Sequence, residues 1–300
     1  MNIIKTISQH KIFKKEPIVL MHIGSAGSNF DKWKNISKNS ILISLDGTLK
    51  SENQIKNFQK VINQNIIISN VSSKSKFYIT KDTDCSSLLE PNYNTYKHWY
   101  AAHRFKTKKR IYTDVVEINQ FLKKNNIKYI DWLVIDIQGM DLKVIKKLKN
   151  EIKKNISIID IEPGFEPFYK NADEISEVFI YMKKFYEFED MKFGYNYKVR
   201  SKNLNFIEKK LLFLTNKPSQ IYTNINFINK SNTLRILLLK LIYLIGNNKI
   251  FEARDLIEKN KKNKKNLSGI LLDINDYLFK QKIKFLLLFP IYYLKKIFNL

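Results

Sequence analysis

Between residues 18 and about 214 the chain alternates short β-branched apolar runs with stretches of helical spacing, and this alternation leaves few folds open. Apolar runs of four to eight residues followed by 3.6-period stretches are the pattern of βαβ units. Consecutive units of that kind build a mainly parallel sheet with helices on its faces. The runs 18–23, 41–45, 66–68, 132–136 and 156–161 are the expected parallel strands. Helices are predicted over 29–37, 51–62, 115–125, 141–150 and 172–185. The stretches 188–197 and 206–214 have the length and spacing of an antiparallel pair at a sheet edge. The predicted fold class is α/β: a Rossmann-like, mainly parallel seven-stranded sheet flanked by helices.

Three segments follow from the pattern: an N-terminal lead-in over 1–17, the α/β domain over 18–217, and a basic, mostly helical C-terminal extension over 218–300. Within the domain, 71–112 is less regular, with a short strand expected at 76–80. A long irregular segment of this kind tends to be a lid or binding loop.

The 53 Lys and Arg against 28 Asp and Glu give a net charge of +25. Solvated surface, an anionic membrane surface and nucleic acid would all tolerate it. The Lys, Asn and Ile-heavy usage and the lack of an Asn/Asp-Pro-Pro-Tyr/Phe motif argue against nucleic acid, so no such partner is expected. Cys85 is the single cysteine, so no disulfide closes within the chain, and a small buried side chain in a reducing compartment is expected. Residues 1–17 lack the uninterrupted apolar core of a signal peptide, which points to the cytoplasm. No Cys/His cluster has metal-ligand spacing.

Near the C-terminus the charge-free run 285–294 is about half of what a membrane-spanning helix needs. Lys280, Lys282, Lys284, Lys295 and Lys296 flank it. Two readings stand side by side: residues 277–300 lie on the inner face of a membrane as an interfacial helix, or they pack on a helix at 233–245. Pro290 is expected to kink or interrupt the helix.

The first strand enters a turn containing Gly24 and Gly27, and Asp46 ends the second strand about twenty residues later. A glycine turn lets a ligand approach backbone N–H groups, and a carboxylate at that second place can accept both ribose hydroxyls of an adenosine ligand. An ordinary strand-to-helix turn would carry the same two glycines. The dinucleotide pattern of three spaced glycines is absent, which counts against NAD. On this reading Gly24→Val fills the ligand's place without unfolding the protein.

Four stretches carry a family resemblance: the turn 22–28 followed by Lys32 and Trp33, the block 80–92 with Ser86, Ser87, Leu88, Leu89, Pro91 and Asn92, the block 131–145 around Asp136, Gln138 and Gly139, and the block 161–169 from Glu162 to Tyr169. In this order, across about 18–215, they resemble FkbM-type methyltransferases. His22 stands where that family usually carries an acid, Asp46 where Glu is more frequent, and Val134 where Lys is common.

The resemblance implies S-adenosylmethionine as cofactor and transfer of its methyl group to a hydroxyl of a sugar, glycan or related metabolite. The expected cofactor-binding residues are His22, Gly24, Ser25, Gly27, Asp46 and Asn70. A hydroxyl acceptor needs its proton removed. Asp136 and Glu162, at the carboxyl ends of their strands, are the expected catalytic carboxylates, with His103 from the loop as a third candidate; His98 titrates in the same range. Asp136 could equally cap the next helix. The rival reading is a non-catalytic scaffold or binding protein of the same fold, working at a membrane or glycan-assembly complex through its basic C-terminal helices.

Overall fold

The structure, a computed structural model, describes residues 2–26, 28, 30–47, 57–97, 99–194, 205, 207–208, 211, 222–260 and 263–297. They divide into two compact units: Ile18–Asp31 with Ser40–Lys230, and Met1–Pro17 with Lys32–Asn39 and Ser231–Leu300.

The larger unit holds ten strands: β1 (Ile18–Ile23), β2 (Ser40–Asp46), β3 (Lys60–Asn65), β4 (Ile67–Ser69), β5 (Ser73–Thr80), β6 (Thr107–Glu117), β7 (Trp132–Ile135), β8 (Ile158–Ile161), β9 (Tyr186–Gly194) and β10 (Tyr222–Asn229). Seven form one sheet in the order β3-β2-β1-β7-β8-β10-β9. Its pairs from β3 to β8 are parallel, and β10 runs antiparallel to both neighbours. This is the expected Rossmann-like, mainly parallel seven-stranded sheet. Every residue of β1, β7 and β8 is buried, which is why these strands are written as continuous apolar runs rather than alternating ones. Met21, Ile23, Ile43, Leu45, Leu133, Ile135, Ile159 and Ile161 meet the helix residues Ile118, Phe121, Leu142 and Ile145 in one core.

Several elements differ from their sequence reading. The third strand of the sheet is Lys60–Asn65, paired with β2 from Ile41↔Lys60 to Asp46↔Asn65, where a helix was expected to run to residue 62. Lys60 to Asn65 carry β-branched Val61 and Ile62 among polar residues, which suits an edge strand; positions 51–56 of that expected helix lie outside the described residues. The apolar run expected as the third strand, β4, sits instead in a second sheet of order β4-β6-β5. The helix expected over 29–37 is replaced by two 3-10 turns, Asp31–Trp33 and Ser37–Asn39, because Asn and Ser are poor helix formers and Trp33 and Ile36 are buried. The partner of the edge strand is Tyr222–Asn229, beyond the boundary expected at 217; most of 206–214, where it was expected, lies outside the described residues.

In the smaller unit, Asn2–Ser8 and Lys11–Lys15 are helices that cluster with Leu234–Gly246, Ile250–Lys259 and Lys264–Ile297. Arg235 donates to the carbonyls of Glu16 and Pro17, 3.0 Å each, and its guanidinium lies 5.2 Å from the Phe13 ring centre. The expected lead-in is therefore part of a helical body. Lys264–Ile297 is a single helix that runs through Pro290, so the expected interruption is absent. A proline removes one intrahelical bond, and the helix keeps its remaining ones. Among the described residues no helix is long and apolar enough to cross a membrane.

Candidate functional site

The strand order reverses between β1 and β7: the chain builds outward from β1 to β3 on one side, then crosses to β7 and β8 on the other. Open α/β sheets hold ligands outside the carboxyl ends of the strands at such a switch point. A cavity of about 490 Å³ opens there, within the size range of small-molecule sites. Ile23 and Gly24 come to it from the end of β1, Asp46 and Gly47 from β2, Asp136 to Gln138 from beyond β7, and Glu162 from beyond β8. Ile66, Ile67, Ile68 and Phe77 give it an apolar wall, and the loop 83–105 closes it with Cys85, Ser86, Leu88, Arg104 and Phe105.

Gly24 has φ +80, and a Cβ there would run into the backbone carbonyl of Asp136, so the turn is built on the absence of a side chain. The Asp46 carboxylate accepts from the N–H of Ala26 at 3.0 Å, which ties the glycine turn to the end of β2. Ser25 is turned away from the cavity: its hydroxyl lies 2.8 Å from that of Ser44, and both are buried. His22 is a buried β1 residue between Ser44 and Val134, edge-on to Phe30, and the cavity lining does not include it. Gly27 lies outside the described residues.

Beyond β7 the chain turns through two left-handed residues, Gln138 at φ +55 and Gly139 at φ +94. Asp141 fixes this turn by accepting from the N–H groups of Ile137 at 2.9 Å and Gly139 at 3.1 Å. Burial pushes the Asp141 carboxyl up to about 7 against those bonds. Gln138 then bridges two parts of the site. Its amide nitrogen donates to Asp136 Oδ1 at 2.8 Å, and its amide oxygen accepts the hydroxyl of Tyr169 at 2.8 Å. The same hydroxyl reaches the carbonyl of Cys85 at 2.7 Å, and Ser87 donates to the Gln138 carbonyl at 2.8 Å. These bonds tie the loop that holds Cys85 to the carboxyl edge of the sheet. Around them Tyr96, Trp99, Phe105, Phe168 and Tyr169 form an aromatic cluster with Cys85, in which Phe105 and Phe168 stack at 5.2 Å.

Burial holds the Asp136 carboxyl well above the ordinary carboxylate range, and the charges of Glu162 and Asp141 add to the effect against hydrogen bonds from Gln138. Glu162 is pushed up to about 7, first by burial and then by the charge of Asp141. Carboxyls that retain a proton near neutral pH in a cleft are suited to proton transfer. No side chain caps the helix Asp141–Lys147, so Asp136 is not its cap. A smaller recess shares Phe105, Gln138 and Glu162 with the cavity and adds Phe165, Glu166 and Thr223.

Two expected residues stand apart. His103 is exposed and absent from the lining, because the loop turns its neighbour Arg104 inward instead. Asn70 follows β4 of the second sheet and borders a separate, shallow depression with Ser69 and Lys76. His98 lies outside the described residues. Arg104, held to Asp82 by a 2.7 Å ion pair, is a cavity residue that the sequence reading missed: it lies beyond the recognised blocks, in a segment without periodicity. Gln138 and Tyr169 sat inside those blocks but carried no marked role.

No match is found among curated proteins or among solved structures. A family model, described as the methyltransferase FkbM domain, matches residues 38–197, a stretch that holds Asp46, Asp136, Arg104 and Glu162, and on that match over more than half of its length the chain belongs to the FkbM methyltransferase family.

Proposed function

We propose that this methyltransferase takes its methyl group from S-adenosylmethionine and passes it to a hydroxyl of a sugar, glycan or related metabolite. The observation that carries the reading is the composition of the cavity at the switch point: Asp46 beside an apolar wall of Ile66, Ile67 and Ile68, with Asp136, Glu162 and Arg104 farther along. Those groups fit the cofactor's chemistry. A carboxylate suits ribose hydroxyls, aliphatic side chains suit an adenine face, acidic groups suit a sulfonium and an ammonium, and a guanidinium suits a carboxylate.

When bound, the cofactor supplies a methyl group on a positively charged sulfur, open to in-line attack by an oxygen. The protein's part is to orient and to move a proton. Asp46 holds the turn after β1 and would hold the ribose hydroxyls. Gln138 fixes the rotamer of Asp136 through its 2.8 Å bond. Glu162, with a carboxyl titrating at about 7, lines both the cavity and the smaller recess, so it accepts the acceptor's proton as the oxygen attacks. Phe165, 46 % exposed at the recess, offers an aromatic face to a sugar ring, and Glu166 offers hydrogen bonds to its hydroxyls.

Calorimetry of the full chain with S-adenosylmethionine and S-adenosylhomocysteine tests the cofactor, and methyl transfer to a panel of sugars and glycans tests the acceptor. Saturable binding that Asp46→Ala weakens is expected. Folded protein that binds neither nucleoside would sink the proposal and leave the scaffold reading standing.

A further inference from the structure

Among the described residues, the helix Lys264–Ile297 buries one apolar side and leaves apolar residues of another exposed. Leu267, Ile270 and Ile274 are buried, on a helix that packs on Ile250–Lys259 and Asn2–Ser8. Successive helical residues step by about 100°, which puts Leu272, Phe279 and Ile283 on one stripe directly opposite that packed side. These three are 69 %, 63 % and 42 % exposed. Phe285, five full turns after Leu267 and so in line with the packed side, is exposed as well. A solvent-exposed helix normally places polar residues in these positions.

The charge around the stripe is mostly positive. Lys280 and Lys282 flank it at about 80° on either hand, with Lys284 just behind. The only acids on this helix are Asp273 and Asp276, against seven lysines; Asp276, four residues after Leu272 and three before Phe279, lies on the stripe itself, where Lys280 pairs with it at 2.7 Å. The sequence continues the apolar run to Leu294 and closes it with Lys295 and Lys296.

We infer that this face of the helix docks on an anionic lipid surface, with Leu272, Phe279 and Ile283 entering the headgroup boundary and the flanking lysines meeting lipid phosphates and carboxylates. A stripe of bulky apolar side chains bordered by lysines is what interfacial helices present, and burial plus charge attraction act together there. A protein partner would need acidic groups placed beside an apolar ridge. A bilayer containing acidic lipids supplies both without a specific fit.

Full-length protein is mixed with phosphatidylcholine vesicles, with and without phosphatidylserine, and sedimented at low and high salt. The expected result is co-sedimentation with phosphatidylserine vesicles that salt reduces in part, since screening acts on the lysines and not on the apolar contacts. Phe279→Ser with Ile283→Ser should weaken it by about tenfold or more. Lys280→Glu, Lys282→Glu and Lys284→Glu together should abolish the preference for phosphatidylserine. These side chains are exposed, so both variants should keep wild-type melting and wild-type cofactor binding. Protein that stays in the supernatant, equal binding to both vesicle types, or variants that bind like wild type would overturn the inference. So would self-association of the wild type that the serine variant dissolves, because a second copy would then be what covers the stripe.

Discussion

A side chain on Gly24 would collide with the carbonyl oxygen of Asp136, so the turn after β1 and the turn after β7 can close on each other only through glycine. This corrects the sequence-based view of Gly24→Val as a clean block of the ligand's place. The collision is with backbone at the junction of two central strands, and φ +80 adds strain for any L side chain. Gly24→Ala is expected to cost about 3 kcal/mol or more of stability. Thermal unfolding checks it, and a melting temperature within a degree or two of wild type would contradict the geometry.

Asp46 offers the cleaner probe of ligand binding, because it is half-buried, lines the cavity and accepts from the N–H of Ala26 rather than packing in the core. Asp46→Ala should weaken S-adenosylmethionine by about 1.5–3 kcal/mol, the scale of charge-assisted hydrogen bonds left unmade. Asp46→Asn keeps an acceptor for Ala26 and should fall between the two. Titration calorimetry reads both, and an unchanged dissociation constant in Asp46→Ala would show that the ribose is held elsewhere.

Glu162 should impose a pH dependence with opposite signs on activity and stability. As a general base it works only when ionised, so kcat/KM should rise as pH passes about 7 and then level off. For stability, its carboxyl moves from an ordinary 4.5 to about 7 on folding, so between those values the folded state holds a proton that the unfolded chain has released. Stability from this group is full below about 4.5 and is lost as pH rises to 7. Asp141 acts in the same direction, from its ordinary 3.8 up to about 7. Glu162→Gln should therefore lose most activity yet be about 1–2 kcal/mol more stable at pH 8, after allowing for partial solvent screening. A variant that is both active and less stable would contradict the assignment.

How far the sequence could be read depended on what each residue answers to. β1, β7 and β8 were legible because burial on both faces writes a run that any neighbour arrangement would require. Asp46, Asp136 and Glu162 followed from that, since a carboxylate ending a buried parallel strand has one edge to face. β3 and β10 were not legible in the same way. β3 is a polar edge strand whose pattern of exposure shows no clean alternation, and β10 returns to the sheet from beyond the boundary drawn near Pro218. The loop carrying His103 and Arg104 has no period at all, so nothing local said which of two adjacent side chains would turn inward. Left-handed Gln138 belongs to the same group: its role comes from Asp136 and Tyr169, 2 and 31 residues away.

Tyr169 and Cys85 make that last network measurable. The Cys85 thiol is buried in the aromatic cluster, and burial pushes it up to about 12. At pH 8 only about one thiol in ten thousand is then ionised, and a thiol reagent must wait for the loop to open. The hydroxyl of Tyr169 closes that loop through the Cys85 carbonyl and Gln138, both within 2.8 Å. Tyr169→Phe deletes the hydroxyl and leaves the ring in place beside Phe105, so packing is retained and only the hydrogen bonds are lost. The expected cost is about 1–2 kcal/mol, and because the bonds hold this loop in particular, Cys85 should label about tenfold faster than in wild type. Thr83, Asp84, Cys85, Ser86 and Arg104 line the cavity. A bound nucleoside should therefore slow labelling in both proteins. Labelling that Tyr169→Phe leaves unchanged would mean the loop is held by its aromatic contacts alone.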